Sequence, residues 1–232
     1  RISPEGTEKF AFPNVNLERI KGPEELKNFI RQTSQQIAPQ LEQARGKGLS
    51  FEQVQSTANE LNVGISEIQS AAKAGILDQV TLTAARQLHA QKSNAAFQAV
   101  KNLQDLTKTG QGTDIAKLQA MGAISEMNAI RATVVNNTAE TARALNAHKI
   151  IVNALREPSE KNFEAAYKAL GGKDVAEEVF DKFSKLNFEN PEEVFNFVRN
   201  SQKATTGDLV REYWYNSILS GVGTHARNLV GN

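Results

Sequence analysis

The sequence predicts an all-α protein, on three observations. Apolar residues recur at steps of three and four along most of the chain, and no stretch sustains the alternation of a half-buried strand. Residues 113–155 contain no proline and a single glycine, Gly122, so one uninterrupted helix is expected there. Helix-start chemistry precedes several apolar stripes: Pro23-Glu24-Glu25, Ser50 with Gln53, and Asn190-Pro191 followed by two glutamates.

Residues 1–22 hold Pro4, Gly6, Pro13 and Gly22 and little periodicity, and they read as an extended N-terminal arm pinned by Phe10 and Phe12. A helix starts at Pro23, which needs no amide hydrogen bond in the first turn. Leu26, Phe29 or Ile30, and Ile37 form its stripe, and Pro39 ends or kinks it. Ser50 and Gln53 form a capping box before Phe51, Val54, Ala58 and Leu61. A short helix over Ser66–Lys73 follows and stops at Gly75.

From Leu82 to about Lys108 the stripe is Ala85, Leu88, Ala95 or Ala96, Val100, Leu103 and Leu106, and "TGQGT" supplies a turn. The next helix, 113–155, would be ~65 Å long at about 1.5 Å per residue, capped by Thr113 or Asp114. Its first half carries Ile115, Leu118, Met121, Ile124, Met127 and Ile130 at steps of three, a spacing that spreads apolar surface around the helix and calls for several neighbours. Its second half keeps a narrower seam through Val134, Thr138, Thr141 or Ala142, Leu145, His148 or Lys149, and Val152. The spine expected is therefore a long antiparallel hairpin of 82–108 and 113–155, packed with shorter helices into a domain over 23–156. Ala139, Ala142, Ala144 and Ala147 permit close approach along it. Asn137, Thr138 and Thr141 either bond along the seam or face water.

Beyond Pro158 the chain becomes rich in phenylalanine. Phe163, Phe180, Phe183, Phe188, Phe195 and Phe197 suggest a smaller helical subdomain over 157–232 with a core of its own. Within it Tyr213, Trp214, Tyr215, Ile218 and Leu219 make a helix apolar on more than one side, a candidate interface. Gly221 stops that helix and Thr224 can cap another turn.

Composition narrows the function classes. With 27 Lys and Arg against 26 Asp and Glu the net charge is +1, so no broad phosphate-neutralising surface and no specific nucleic-acid site are expected. The absence of cysteine excludes disulfides, thiolate metal sites and cysteine nucleophiles. No stretch is long and apolar enough for a membrane span, and the opening "RISPEGTEKF" lacks the apolar core of a signal peptide and starts at Arg, as a piece of a longer polypeptide would.

The motifs point the same way. Gly221, Gly223 and Ala226 match a Gly-x-Gly-x-x-Ala spacing, but the stretch before them is helical, whereas a dinucleotide fingerprint needs a preceding strand. Gly110 and Gly112 lie between helices and fail likewise. His89, His148 and His225 stand apart with no His-Glu-x-x-His pair, so structural roles are expected, with no metal and no cofactor. Glu177-Glu178 and Glu192-Glu193 point about 100° apart on a helix and cannot flank one bond. Asn136-Asn137-Thr138 fits a glycosylation pattern but falls within the expected helix. The fragment is expected to carry no catalytic residues and not to be an enzyme by itself.

"NVNLERIKGPEELKNFIRQTSQQI", "ARALNAHKI" and "YWYNSILSGVGTHARNLVGN", in this order, resemble segments of large polyvalent or internal virion proteins of tailed bacteriophages and prophages. The resemblance spans Asn14–Asn232 and rests on helix and turn patterns. It implies a protein held inside the capsid and delivered to the host envelope or cytoplasm with the genome, as an ejection protein that helps DNA cross the envelope. Its implied partners are other virion proteins, flanking segments of its own polypeptide and copies of itself. Two alternatives stay open: an injected effector, such as an anti-restriction factor acting on host proteins, and a scaffold segment of a larger virion enzyme, a transglycosylase or a virion RNA polymerase.

Overall fold

The computed structural model describes residues 16–38, 49–61, 63–74, 78–187, 190 and 193. Among these the chain is helical throughout and has no strand, as the all-α expectation requires. After a 3-10 turn at Leu17–Arg19 come α1 (Pro23–Ile37), α2 (Phe51–Leu61), α3 (Ile65–Lys73), α4 (Gln79–Lys108), α5 (Asp114–Val134), α6 (Thr138–Arg156), α7 (Glu160–Ala169) and α8 (Lys173–Ser184).

Local chemistry accounts for most boundaries. Ser50 and Gln53 form the expected reciprocal box, Ser50 Oγ accepting from Gln53 N at 3.2 Å and Gln53 Oε1 accepting from Ser50 N at 2.9 Å. Helix α4 begins three residues before Leu82 because Asp78 Oδ1 accepts from Thr81 N at 2.7 Å. Thr113 caps α5 through Ala116 N, and Ser159 caps α7 through Asn162 N. Helix α4 closes with Gly110 at φ 73°, Gln111 N donating to Leu106 O and Gly110 N to Thr107 O, so the "TGQGT" turn is built on a glycine C-cap.

The continuous helix expected over 113–155 is two helices. Helix α5 ends at Val134 with the same pattern of bonds, Asn137 N to Ala132 O at 2.8 Å and Asn136 N to Thr133 O at 3.1 Å, around Asn136 at φ 57°. Asn137 then opens α6, its Oδ1 accepting from Glu140 N at 3.1 Å. Asparagine supplies both functions here: it tolerates the left-handed region and it caps a helix. Instead of one long hairpin, α4, α5 and α6 run antiparallel in succession, with α5 between the other two.

This break resets the phase of the seam. On α5, Leu118, Met121, Ile124, Met127 and Ile130 are fully buried as the three-residue steps imply, whereas Ile115 is 44% exposed. On α6 the buried face is Thr141, Ala144, Leu145, Ala147, His148, Ile151 and Ala154; Thr138, Ala139 and Ala142 face solvent. Thr141 does bond along the seam, its Oγ1 lying 3.3 Å from Thr133 Oγ1. Helices α5 and α6 pack tightly at Gly122, where a Cβ would come within 3.2 Å of Ile151 Cγ2.

Two apolar cores lie along this three-helix frame. One gathers Leu17, Leu26, Ile30, Val54, Leu61 and Ile68 against Leu82, Leu88, Ile130 and Leu145. The other gathers Phe97, Val100, Leu118, Met121 and Ile151 with Tyr167, Leu170, Val179, Phe180 and Leu186. The segment after 157, as far as it is described, therefore shares its core with α4–α6 and does not enclose one of its own: Phe180 is buried within this shared core and Phe163 packs on it. Gln104 Nε2 donates to Leu186 O at 2.8 Å and Tyr167 Oη to Asp114 Oδ1 at 2.8 Å, fastening α7 and α8 to the frame. Phe188, Phe195 and Phe197 lie outside the described residues, as do Phe10 and Phe12 of the arm. The end of the arm is docked: Leu17 is fully buried, and Glu18 pairs with Arg156 at 2.7 Å.

If Asn136 sets the break by its left-handed conformation, Asn136→Val should lower stability by about 1–2 kcal/mol while Asn136→Gly leaves it nearly unchanged. Urea unfolding of the two variants measures this, and equal losses would locate the break elsewhere.

Candidate functional site

The two cores are separated by a layer of polar side chains that crosses α4, α5 and α6 at one level. On α4, Leu88 belongs to one core and Ala96 to the other, with His89, Lys92 and Ser93 buried between them. On α5, Ser125, Glu126 and Asn128 stand at the corresponding level, and on α6 His148 lies between Leu145 and Ile151. Helical spacing explains the layer: residues three and four apart share a face, so these positions lie in the same stripe as the core residues.

Its centre is an ion pair. Lys92 Nζ lies 3.0 Å from Glu126 Oε2, and the two side chains are 9% and 17% exposed. Glu126 Oε1 is 3.5 Å from His148 Nε2, within ion-pairing range but too long for a good hydrogen bond. The other ring nitrogen, Nδ1, lies 3.2 Å from Gly122 O, which can only accept. The His148 ring thus lies between Gly122 O and the Glu126 carboxylate. Ser125 Oγ donates to Met121 O at 2.8 Å.

His89 is buried in the same layer. It is 4% exposed, its Nε2 has no hydrogen-bond partner, and the charge that acts on it is the guanidinium of Arg131. Burial first, and then Arg131, lower its pKa from 6.5 to about 4. Arg131 itself joins three helices, donating from Nε to Leu61 O at the end of α2 and from Nη1 to Glu140 Oε1 on α6, at 3.1 and 2.9 Å.

His89 and His148 are both buried, and the structure brings them to one layer with Lys92 and Glu126, a grouping that sequence reasoning missed. A signal was present: Lys92 and Glu126 fall on the inward stripes of their helices, where a charged residue requires a partner. The acid pair Glu177-Glu178 sits on the surface, with Glu178 bonded to Lys182 at 2.8 Å. Tyr213, Trp214, Tyr215, Ile218 and Leu219, the candidate interface, lie outside the described residues, as do His225, Gly221, Gly223 and Glu192. Among the described residues no group of three or more His, Cys, Asp or Glu could hold a metal ion, and no helix is long and apolar enough to cross a membrane. An open groove of about 860 Å³ lies away from the layer, beside Asp114, Phe163, Tyr167 and Lys173. There the Tyr167 phenol is held above its usual pKa by burial and by its bond to Asp114.

Comparison with protein-family models, with curated proteins and with solved structures finds no match to this chain. A largely buried ion pair between apolar cores fixes the alignment of helices, since slipping one helix past another would leave a charge unpaired.

Removing one partner should destabilise the fold more than removing both. Lys92→Met or Glu126→Leu alone should cost about 3–5 kcal/mol, and the double variant clearly less than either. Denaturant unfolding in a double-mutant cycle checks this, and additive losses would mean that the pair is not coupled.

Proposed function

We propose that this chain is a helical structural and delivery module of a tailed-phage virion protein that is ejected with the genome and helps DNA cross the host envelope. The observation that carries the proposal is the resemblance of the three ordered sequence segments to internal virion proteins. Two of these segments also meet in space. "NVNLERIKGPEELKNFIRQTSQQI" supplies the docked turn and α1, "ARALNAHKI" supplies the middle of α6, and Lys149 Nζ donates to Lys21 O between them at 3.4 Å.

The physical properties of the module suit passage through a narrow channel. A protein that travels with DNA has to unfold at modest cost and refold afterwards. Without cysteine, refolding needs no oxidative step. Helices α4, α5, α6 and α7 follow one another as packed neighbours, and each starts at a side-chain cap, so contacts close in sequence can re-form first. The partners in this role are other ejection proteins, further copies and the flanking segments of the same polypeptide.

Mass spectrometry of purified, nuclease-treated virions from the phage or induced prophage that encodes the chain should detect its peptides. In-frame deletion of residues 16–187 should give particles that adsorb but fail to deliver DNA. Virions that lack the chain would refute the proposal. Deletion particles that deliver DNA and fail only in restricting hosts would point instead to an injected effector.

A further inference from the structure

The side of α6 that faces away from the bundle is charged with one sign. The inward residues run from Thr141 to Ala154, so at about 100° per residue the opposite stripe passes through Ala142, Arg143, Asn146, Lys149, Asn153 and Arg156. Three of these are cations and none is an acid. The single acid of the helix, Glu140, is turned to Arg131 at 2.9 Å and its side chain is 18% exposed.

The 3-10 turn at Leu17–Arg19 adds two more cations to this side. Lys149 Nζ donates to Lys21 O at 3.4 Å and Arg156 Nη2 to Glu18 Oε2 at 2.7 Å, so Arg19 and Lys21 lie along the C-terminal half of the stripe. The nearby acids are engaged: Glu18 with Arg156, Glu25 with the backbone N–H of Lys21 at 2.6 Å, and Glu24 with Lys27 at 2.8 Å. Glu157 follows the last turn of α6 and marks the end of the face. Arg19, Lys21 and Arg143 are exposed, and none of the three has a carboxylate partner.

We infer that this face binds the phosphate backbone of double-stranded DNA without reading its sequence. From Arg143 to Arg156 it is about 20 Å long, and a duplex presents a phosphate charge about every 1.7 Å of its axis. Arg143 and Lys149 stand about 120° apart on the helix, one at each edge of the stripe. Asn146 and Asn153 lie between them with amides that can donate to phosphate oxygens, and Ala142 lets a backbone come close. Contacts of this kind position a duplex and carry no base information.

An anionic lipid surface fits less well. A helix lying in a membrane interface presents large apolar side chains, whereas the exposed apolar residues here are Ala139 and Ala142, and Ile150 packs against the core. The near-neutral composition conceals the face because the charges are segregated. Residues 157–187 carry seven Asp and Glu against five Lys and Arg, while 138–156 carry three Lys and Arg against the inward Glu140. On α8, by contrast, Lys182 and Lys185 each pair with an acid one turn earlier. Neither the face nor its charge depends on the virion reading, and binding in vitro would stand even if virions lacked the chain.

Fluorescence anisotropy of a labelled random-sequence duplex of about 20 base pairs, titrated with the whole chain between about 50 and 200 mM NaCl, tests this. With about four phosphates contacted, affinity should fall roughly 100-fold over that range. The double variant Arg19→Glu, Arg143→Glu should bind at least about 10-fold more weakly at the lower salt, whereas Lys182→Glu, Lys185→Glu, with the same change in net charge, should stay within about twofold. Acetylation footprinting of the unmodified chain needs no variant to fold: the duplex should shield Lys21 and Lys149 and leave Lys101 and Lys185 reactive. Absence of binding at the lower salt, equal losses in the two double variants, shielding spread evenly over all four lysines, or binding to phosphatidylglycerol vesicles with none to the duplex would each overturn the proposal.

Discussion

Everything in this fold is arranged around the burial of α5. A helix with apolar or small residues on nearly every side has no face to give to water, so it is stable only when surrounded. Leu118, Met121, Ile124, Met127 and Ile130 are fully buried, each worth about 1.5–3 kcal/mol of transfer free energy, and the small residues between them are buried as well. Helices α4 and α6 supply the two broad contacts. The smaller helices then cover what is left of the two cores, α1 to α3 on one and α7 with α8 on the other.

The polar layer is the counterpart of this burial. Apolar contacts between helices are weakly directional and would tolerate a shift by a turn, whereas the Lys92–Glu126 pair tolerates none without leaving a charge in an apolar setting. The layer thus ties the three helices to one alignment at a cost in desolvation.

Much of the local structure was legible because it depends on local chemistry. Pro23 with its two glutamates, the Ser50–Gln53 box and the glycine turn at 109–113 each act within a few residues, and each forms as its sequence indicates. The three-residue spacing of α5 correctly required several neighbours. The break at Asn136 was harder to see, since asparagine is allowed within helices and two adjacent asparagines resemble any polar surface stretch. The clue was the pairing of an αL-tolerant residue with an N-cap followed three positions later by Glu140. Missing that break shifted the expected seam of α6, which is why Ala139 and Ala142 were assigned to it although they face solvent.

By itself, the sequence determined the helical class, most helix starts and stops, and the absence of thiol chemistry, because periodicity, caps and composition are properties of neighbouring residues. Tertiary structure alone decided that Phe163 and Phe180 join an existing core, that Gly122 packs against Ile151, and that His89, Lys92, Glu126 and His148 meet in one layer. Those outcomes depend on which faces of distant helices come together. Contacts across dozens of residues follow from the packing of whole surfaces, and no short stretch of the chain contains that information.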